Sequence, residues 1–174
     1  MFKLHSIIKI YHINMRTKAS TSLAFILSIM FVLISCENED NDDYSENEVK
    51  ISTFNDDDSH KNGQNCMNCH SSGGSGEGWF NVAGSVYDSS KTNPYPNAMV
   101  KLYSEPNESG VLVKLIEVDG KGNFYTTESV DFGSGLYVSV TDTNGNSKVM
   151  NSPIPTGQCN SCHGSSISNI WVGQ

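Results

Sequence analysis

An all-β chain is predicted, with its strands gathered in residues 80–151, on three observations. Apolar and polar residues alternate there in short runs rich in Val, Tyr, Phe and Leu. Clusters of Gly, Asn, Asp and Pro separate the runs, and no stretch carries a helical period of apolar residues. About 70 residues of this texture suit one small β-sandwich, two sheets closed over a shared core.

Six strands are expected in order. Phe80 to Tyr87 is the first, and the turn Pro94-Tyr95-Pro96-Asn97 leads into the second, Ala98 to Tyr103. The third is Val111 to Val118, followed by the turn Asp119-Gly120-Lys121-Gly122 and a fourth strand, Asn123 to Thr127. Leu136 to Thr141 and Ser147 to Met150 flank the hairpin turn Asp142-Thr143-Asn144-Gly145. That turn begins like a calcium loop, but its glycine comes fourth instead of sixth and Pro153 stands where the bidentate glutamate belongs, so it reads as a turn.

Irregular segments flank the strands, and each carries Cys-x-x-Cys-His: Cys66-Met67-Asn68-Cys69-His70 before them and Cys159-Asn160-Ser161-Cys162-His163 after. This is the attachment signature of covalent haem. Two thiols three positions apart reach the two vinyl groups on one porphyrin edge, and the next imidazole falls beneath the iron. Cys66, Cys69, Cys159 and Cys162 are therefore expected to attach two haem c groups, with His70 and His163 as proximal iron ligands. The glycines and serines of 71–78 and 164–168 suit loops that bring backbone close to a flat cofactor. Trp79 and Trp171, at similar distances after the first cysteine of each motif, suit either a haem face or the end of the sandwich. An even number of strands would return both motifs to one end of it.

For the sixth ligands, His60 is the one histidine after Cys36 outside the two motifs. Met150, nine residues before Cys159, leads for the second iron, with Met99 behind it; both also read as ordinary packing residues. Methionine raises the iron potential relative to a second histidine, and an empty position admits exogenous ligands.

The N-terminal region organises the rest. Arg16 and Lys18 precede an apolar run from Leu23 to Ile34, closed by Leu33-Ile34-Ser35-Cys36. The run is too short for the roughly 20 residues a bilayer span needs. It resembles a bacterial lipoprotein signal with its lipobox, which implies cleavage before Cys36 and a lipid on Cys36. The expected organisation is a signal peptide (1–35), an acidic flexible tether (36–59), a first haem segment (60–79), the strands (80–151) and a second haem segment (152–174). The acidic start of the tether, Cys36 to Asp40, also resembles a signal for surface display, so an outer-membrane lipoprotein on the periplasmic or cell-surface face is expected. From Cys36 onward seven lysines face 19 carboxylates, a formal charge of −12. Such a surface repels nucleic acid and suits cationic partners.

Four strand-and-turn motifs, taken in order, carry a family resemblance: Gly84-Ser85-Val86-Tyr87-Asp88, Asn97-Ala98-Met99-Val100-Lys101-Leu102, Asp119-Gly120-Lys121-Gly122-Asn123-Phe124 and Gly135-Leu136-Tyr137-Val138-Ser139-Val140. They look like the carboxypeptidase regulatory-like domain, a prealbumin-type, immunoglobulin-like sandwich. The resemblance implies a non-catalytic scaffold. The two pentapeptides resemble c-type cytochromes at large. Together these readings predict a lipid-anchored dihaem cytochrome, a carrier and not an enzyme, that passes electrons between redox partner proteins. Two alternatives stand beside it. The cysteine pairs would hold zinc or close as disulfides in a non-haem binding module, or an open iron would serve as a haem sensor or peroxidase-like site.

Overall fold

A computed structural model describes residues 48–173; the signal segment, Cys36 and the first part of the expected tether lie outside the described residues. The fold is all-β, in two four-stranded sheets. Eight strands occur among the described residues: β1 (Val82–Tyr87), β2 (Met99–Glu105), β3 (Ser109–Glu117), β4 (Asn123–Thr126), β5 (Tyr137–Thr141), β6 (Ser147–Val149), β7 (Gly157–Gln158) and β8 (Ile170–Trp171). The six expected strands are β1 to β6. The two short additions lie in the segment after them.

One sheet runs β3-β2-β5-β6, antiparallel throughout. In the other, β1 pairs antiparallel with β4 along one edge, while β7 and β8 both join β1 in parallel. β7 meets Val82 and Ala83, and β8 meets Val86 and Tyr87. Gly157 is required at this contact, because a Cβ there would lie 2.1 Å from the Asn81 carbonyl oxygen.

The sheets share one core. Val82, Val86 and Phe124 from one and Val100, Leu102, Ile116 and Val140 from the other form a single buried cluster. Each such side chain contributes about 1.5–3 kcal/mol by leaving water. β3 has a different character: it is an edge strand, and Val111, Leu112, Val113 and Leu115 are exposed along it.

Turn chemistry follows the sequence. The Asp142 Oδ1 accepts from the amides of Asn144 and Asn146, both at 2.8 Å, and closes the β5–β6 hairpin. Asp119 does the same for Lys121 and Asn123 at 2.8 and 2.9 Å. Where the tether is described it departs from expectation. Residues 50–56 dock on the protein: Ile51 bridges Thr126, the Ser52 amide donates to the Tyr125 carbonyl at 3.0 Å, and Gly120 donates to the Asp56 carbonyl. Ser52 is buried because its hydroxyl donates to the Glu117 carbonyl at 2.6 Å. Hydrogen bonds to the body of the protein, together with packing of Ile51 against the core, order this stretch.

Leu102→Ala should cost about 2–5 kcal/mol in denaturant unfolding, since a fully buried side chain leaves a cavity. Val111→Thr on the exposed edge should stay within about 0.5 kcal/mol. The bonds to Asp142, from the Asn146 side chain above all, hold its carboxyl below the usual 3.8. A depressed carboxyl stabilises the fold above its unfolded pKa, and that contribution is lost as pH falls through the folded value. The Asn144 and Asn146 amides should therefore keep their hydrogen-exchange protection down to pH 3.8 and lose it selectively only below that.

Candidate haem-binding sites

Both Cys-x-x-Cys-His motifs take one local shape. A 3-10 turn, Cys66–Asn68 in the first and Cys159–Ser161 in the second, lets the carbonyl of the leading cysteine accept two amides. The amides of Cys69 and His70 reach Cys66 at 3.1 and 2.9 Å; those of Cys162 and His163 reach Cys159 at 3.3 and 3.0 Å. Asn65 caps the first turn by accepting from the Met67 amide.

Each histidine is then fixed by the loop that follows it. The His70 Nδ1 lies 3.0 Å from the Glu77 carbonyl oxygen, and the His163 Nδ1 lies 2.8 Å from that of Ser168. A carbonyl only accepts, so Nδ1 carries the proton and the Nε2 lone pair is left for a metal. Gly76 crosses the His70 ring so closely that a Cβ would meet three ring atoms within 2.8 Å. The other face of the loop is closed by aromatic stacking: His70 on Phe80 at 4.3 Å between centroids, and Phe80 on Tyr125 at 4.8 Å.

A cavity opens at each motif. The first, of about 490 Å³, is lined by Cys66, Cys69 and His70 together with His60, Phe80, Phe124 and Tyr125, and by the charged Lys50, Asp58, Lys61 and Glu77. The second, of about 480 Å³, is lined by Cys159, Cys162 and His163 with Met150, Val138, Val140, Val149, Ile170 and Trp171. Lys148 is its one lysine and lies 3.6 Å from the Trp171 ring centroid. Both volumes fall in the roughly 300–1,000 Å³ of cofactor sites. Two thiols, an imidazole with a free Nε2 and an apolar wall fit a covalently attached haem in each.

The motifs are neighbours. The second leaves the β1 edge after β7 and returns at β8, and Asn160 fills the gap. Its Oδ1 accepts from the Ser85 amide at 3.2 Å, and its Nδ2 donates to the Gln64 carbonyl at 3.0 Å and the Ser85 hydroxyl at 3.1 Å. The Ser85 hydroxyl in turn accepts from the Gly63 amide at 2.9 Å. Gly84 admits the contact from the other side, where a Cβ would press on the Phe124 ring and stand 3.0 Å from the Cys159 Cβ. Burial pushes the Cys66 thiol up, and it pushes that of Cys159 up to about 12, with the Cys66 charge adding to the rise.

Of the residues singled out in the sequence, His60 falls in the first cavity and Met150 in the second. Met99 does not line either: it sits in β2 opposite Glu117 and Thr141. Trp171 lines the second cavity, but Phe80, not Trp79, lines the first. Phe80, Tyr125, Asn160 and the carbonyls of Glu77 and Ser168 had no signal in the sequence. Cys36 lies outside the described residues. Asp56, Asp57 and Asp58 are, among the described residues, the one group of three or more His, Cys, Asp or Glu ligand atoms within 4.8 Å of one another. No three of the four motif thiols lie that close together.

Asn160→Ala should cost about 1–3 kcal/mol in denaturant unfolding, because it strands the buried Ser85 amide. The Ser85 amide should also exchange faster in the variant. No protein-family model, no curated protein and no solved structure matches this chain.

Proposed function

We propose that this protein is a dihaem c-type cytochrome and an electron carrier. The observation that carries the reading is the matched fixing of two motif histidines. In each, a backbone carbonyl of the following loop accepts the Nδ1–H hydrogen bond and leaves the Nε2 lone pair to a histidine that lines a cavity together with the two motif thiols.

Cys66 and Cys69 would hold one haem c and Cys159 and Cys162 the other by thioether bonds, with His70 and His163 on the irons. The bound group supplies a one-electron iron couple. The chain's own residues do the rest. Glu77 and Ser168 orient the imidazoles and make them more electron-donating. The aromatic wall of Phe80, Phe124 and Tyr125 and the aliphatic wall of Val138, Val140 and Ile170 exclude water, which bears on the potential. One electron is taken from a reduced protein carrier and one is given to an oxidised carrier, with no proton or bond exchanged. The four motifs shared with the prealbumin-type domain support a scaffold role for the strands. A lipid on Cys36 would tether the protein to the outer membrane, on its periplasmic or cell-surface side.

The zinc form of the non-haem alternative is disfavoured by the separation of the thiol pairs into two cavities. Produced in a bacterium with cytochrome c maturation machinery, the protein should carry two haems that survive denaturing electrophoresis. Cys66→Ala and Cys159→Ala should each remove about half of the haem stain. A colourless chain would overturn the proposal.

A further inference from the structure

The two cavities offer different groups to the iron face opposite the motif histidine. His60 belongs to a tightly held turn. Its neighbour Lys61 has a left-handed backbone (φ 55°), and Gly63 follows with φ 78°. Ser59 on one side accepts from Lys121 Nζ at 3.0 Å and from Asn123 at 2.8 Å, while Asn62 on the other donates to the Lys121 carbonyl at 2.6 Å. The turn brings the His60 and His70 rings to 5.8 Å between centroids, inclined at 39°. Two imidazoles bonded to one metal at about 2 Å each, with each centroid about 1 Å beyond its nitrogen, stand about 6 Å apart.

The second cavity contains no histidine besides His163. It contains Met150, whose amide donates to the Val138 carbonyl at 2.8 Å and so places the residue just past the end of β6. The surrounding valines and isoleucines suit a thioether, a soft and weakly polar donor.

We propose that the two irons carry unlike sixth ligands, His60 at the first and Met150 at the second, which makes the second the higher-potential centre. This rests on the haem reading above. Ligand and surroundings act in the same direction. Methionine raises the potential relative to histidine; the formal charges lining the first cavity balance, Lys50 and Lys61 against Asp58 and Glu77, while Lys148 at the second disfavours the more positive, oxidised iron. An electron entering from a reduced carrier at the first centre runs downhill to the second and leaves there to an oxidised carrier.

The test uses the mature protein with both haems, quantified first by covalent haem content. Its ferric spectrum should contain one thioether-to-iron charge-transfer band per chain, and a redox titration should show two separated steps. Met150→Ala should abolish the band and lower the upper step, and Met150→His should do the same while both haems stay low-spin. His60→Ala should leave the band intact and convert one haem to a high-spin form that binds carbon monoxide and is restored by added imidazole. Met99→Leu should change nothing. A protein with two covalent haems but no thioether band, a band that survives Met150→Ala, or a His60→Ala variant that stays fully low-spin would overturn the ligand assignment alone. Absence of covalent haem would overturn it together with the cytochrome reading.

Discussion

The organisation of the molecule depends on how the second edge of β1 is satisfied. A strand edge presents amides and carbonyls that need partners when buried. Here the partners come from two dipeptide strands, β7 and β8, with a gap between them at Ser85. Asn160 closes that gap from inside the second Cys-x-x-Cys-His motif. The same residue reaches the backbone just before the first motif. One buried amide side chain thus completes a sheet and joins two sites more than 90 residues apart in the chain.

Around that edge, the two sites are built alike in their immediate shell and differently beyond it. The 3-10 turn, the doubly accepting cysteine carbonyl and the tethered imidazole recur because each follows from the same five-residue spacing and a return loop of small residues. The walls do not recur. The first cavity borrows its aromatics from Phe80, just before β1, and from β4, and takes charges from Lys50, Asp58, Lys61 and Glu77 on either side of the motif. The second borrows aliphatic residues from β5, β6 and β8. A duplicated local motif, set against two different parts of one scaffold, acquires two different environments.

That division also explains what was legible beforehand. β1 to β6 were readable because each is long enough to alternate and is bounded by Asx or glycine turns. β7 and β8 were not, since two residues hold no period and each pairs with a strand much earlier in the chain, Gly157 with Val82 and Ile170 with Val86. Ser52 and its neighbours looked too polar to order, because the groups that hold them, the Glu117 and Tyr125 carbonyls and the side chains of Glu117 and Asn97, lie far along the chain. Cys66, Cys69, Cys159, Cys162, His70 and His163 were visible through spacing alone. The carbonyls of Glu77 and Ser168 were not, as a backbone acceptor leaves no mark on residue identity. Trp79 suited either a cavity wall or the end of the sandwich, and it is the next residue, Phe80, that lines the first cavity.

The parallel closure of β1 has a kinetic meaning. β1 cannot complete its second edge until residues 157 to 172 have emerged and found it, and joining strands so far apart in sequence is slow relative to forming the β2–β3 or β5–β6 hairpins. Val172, fully buried, donates its amide to the Tyr87 carbonyl and comes last of all. The antiparallel sheet can therefore form while both thiol pairs remain on unpaired, accessible chain. Docking of the last segment packs Cys159 against the core and leaves Cys162 exposed, so the order of folding itself sets an interval during which Cys159 is as open to reaction as its neighbour.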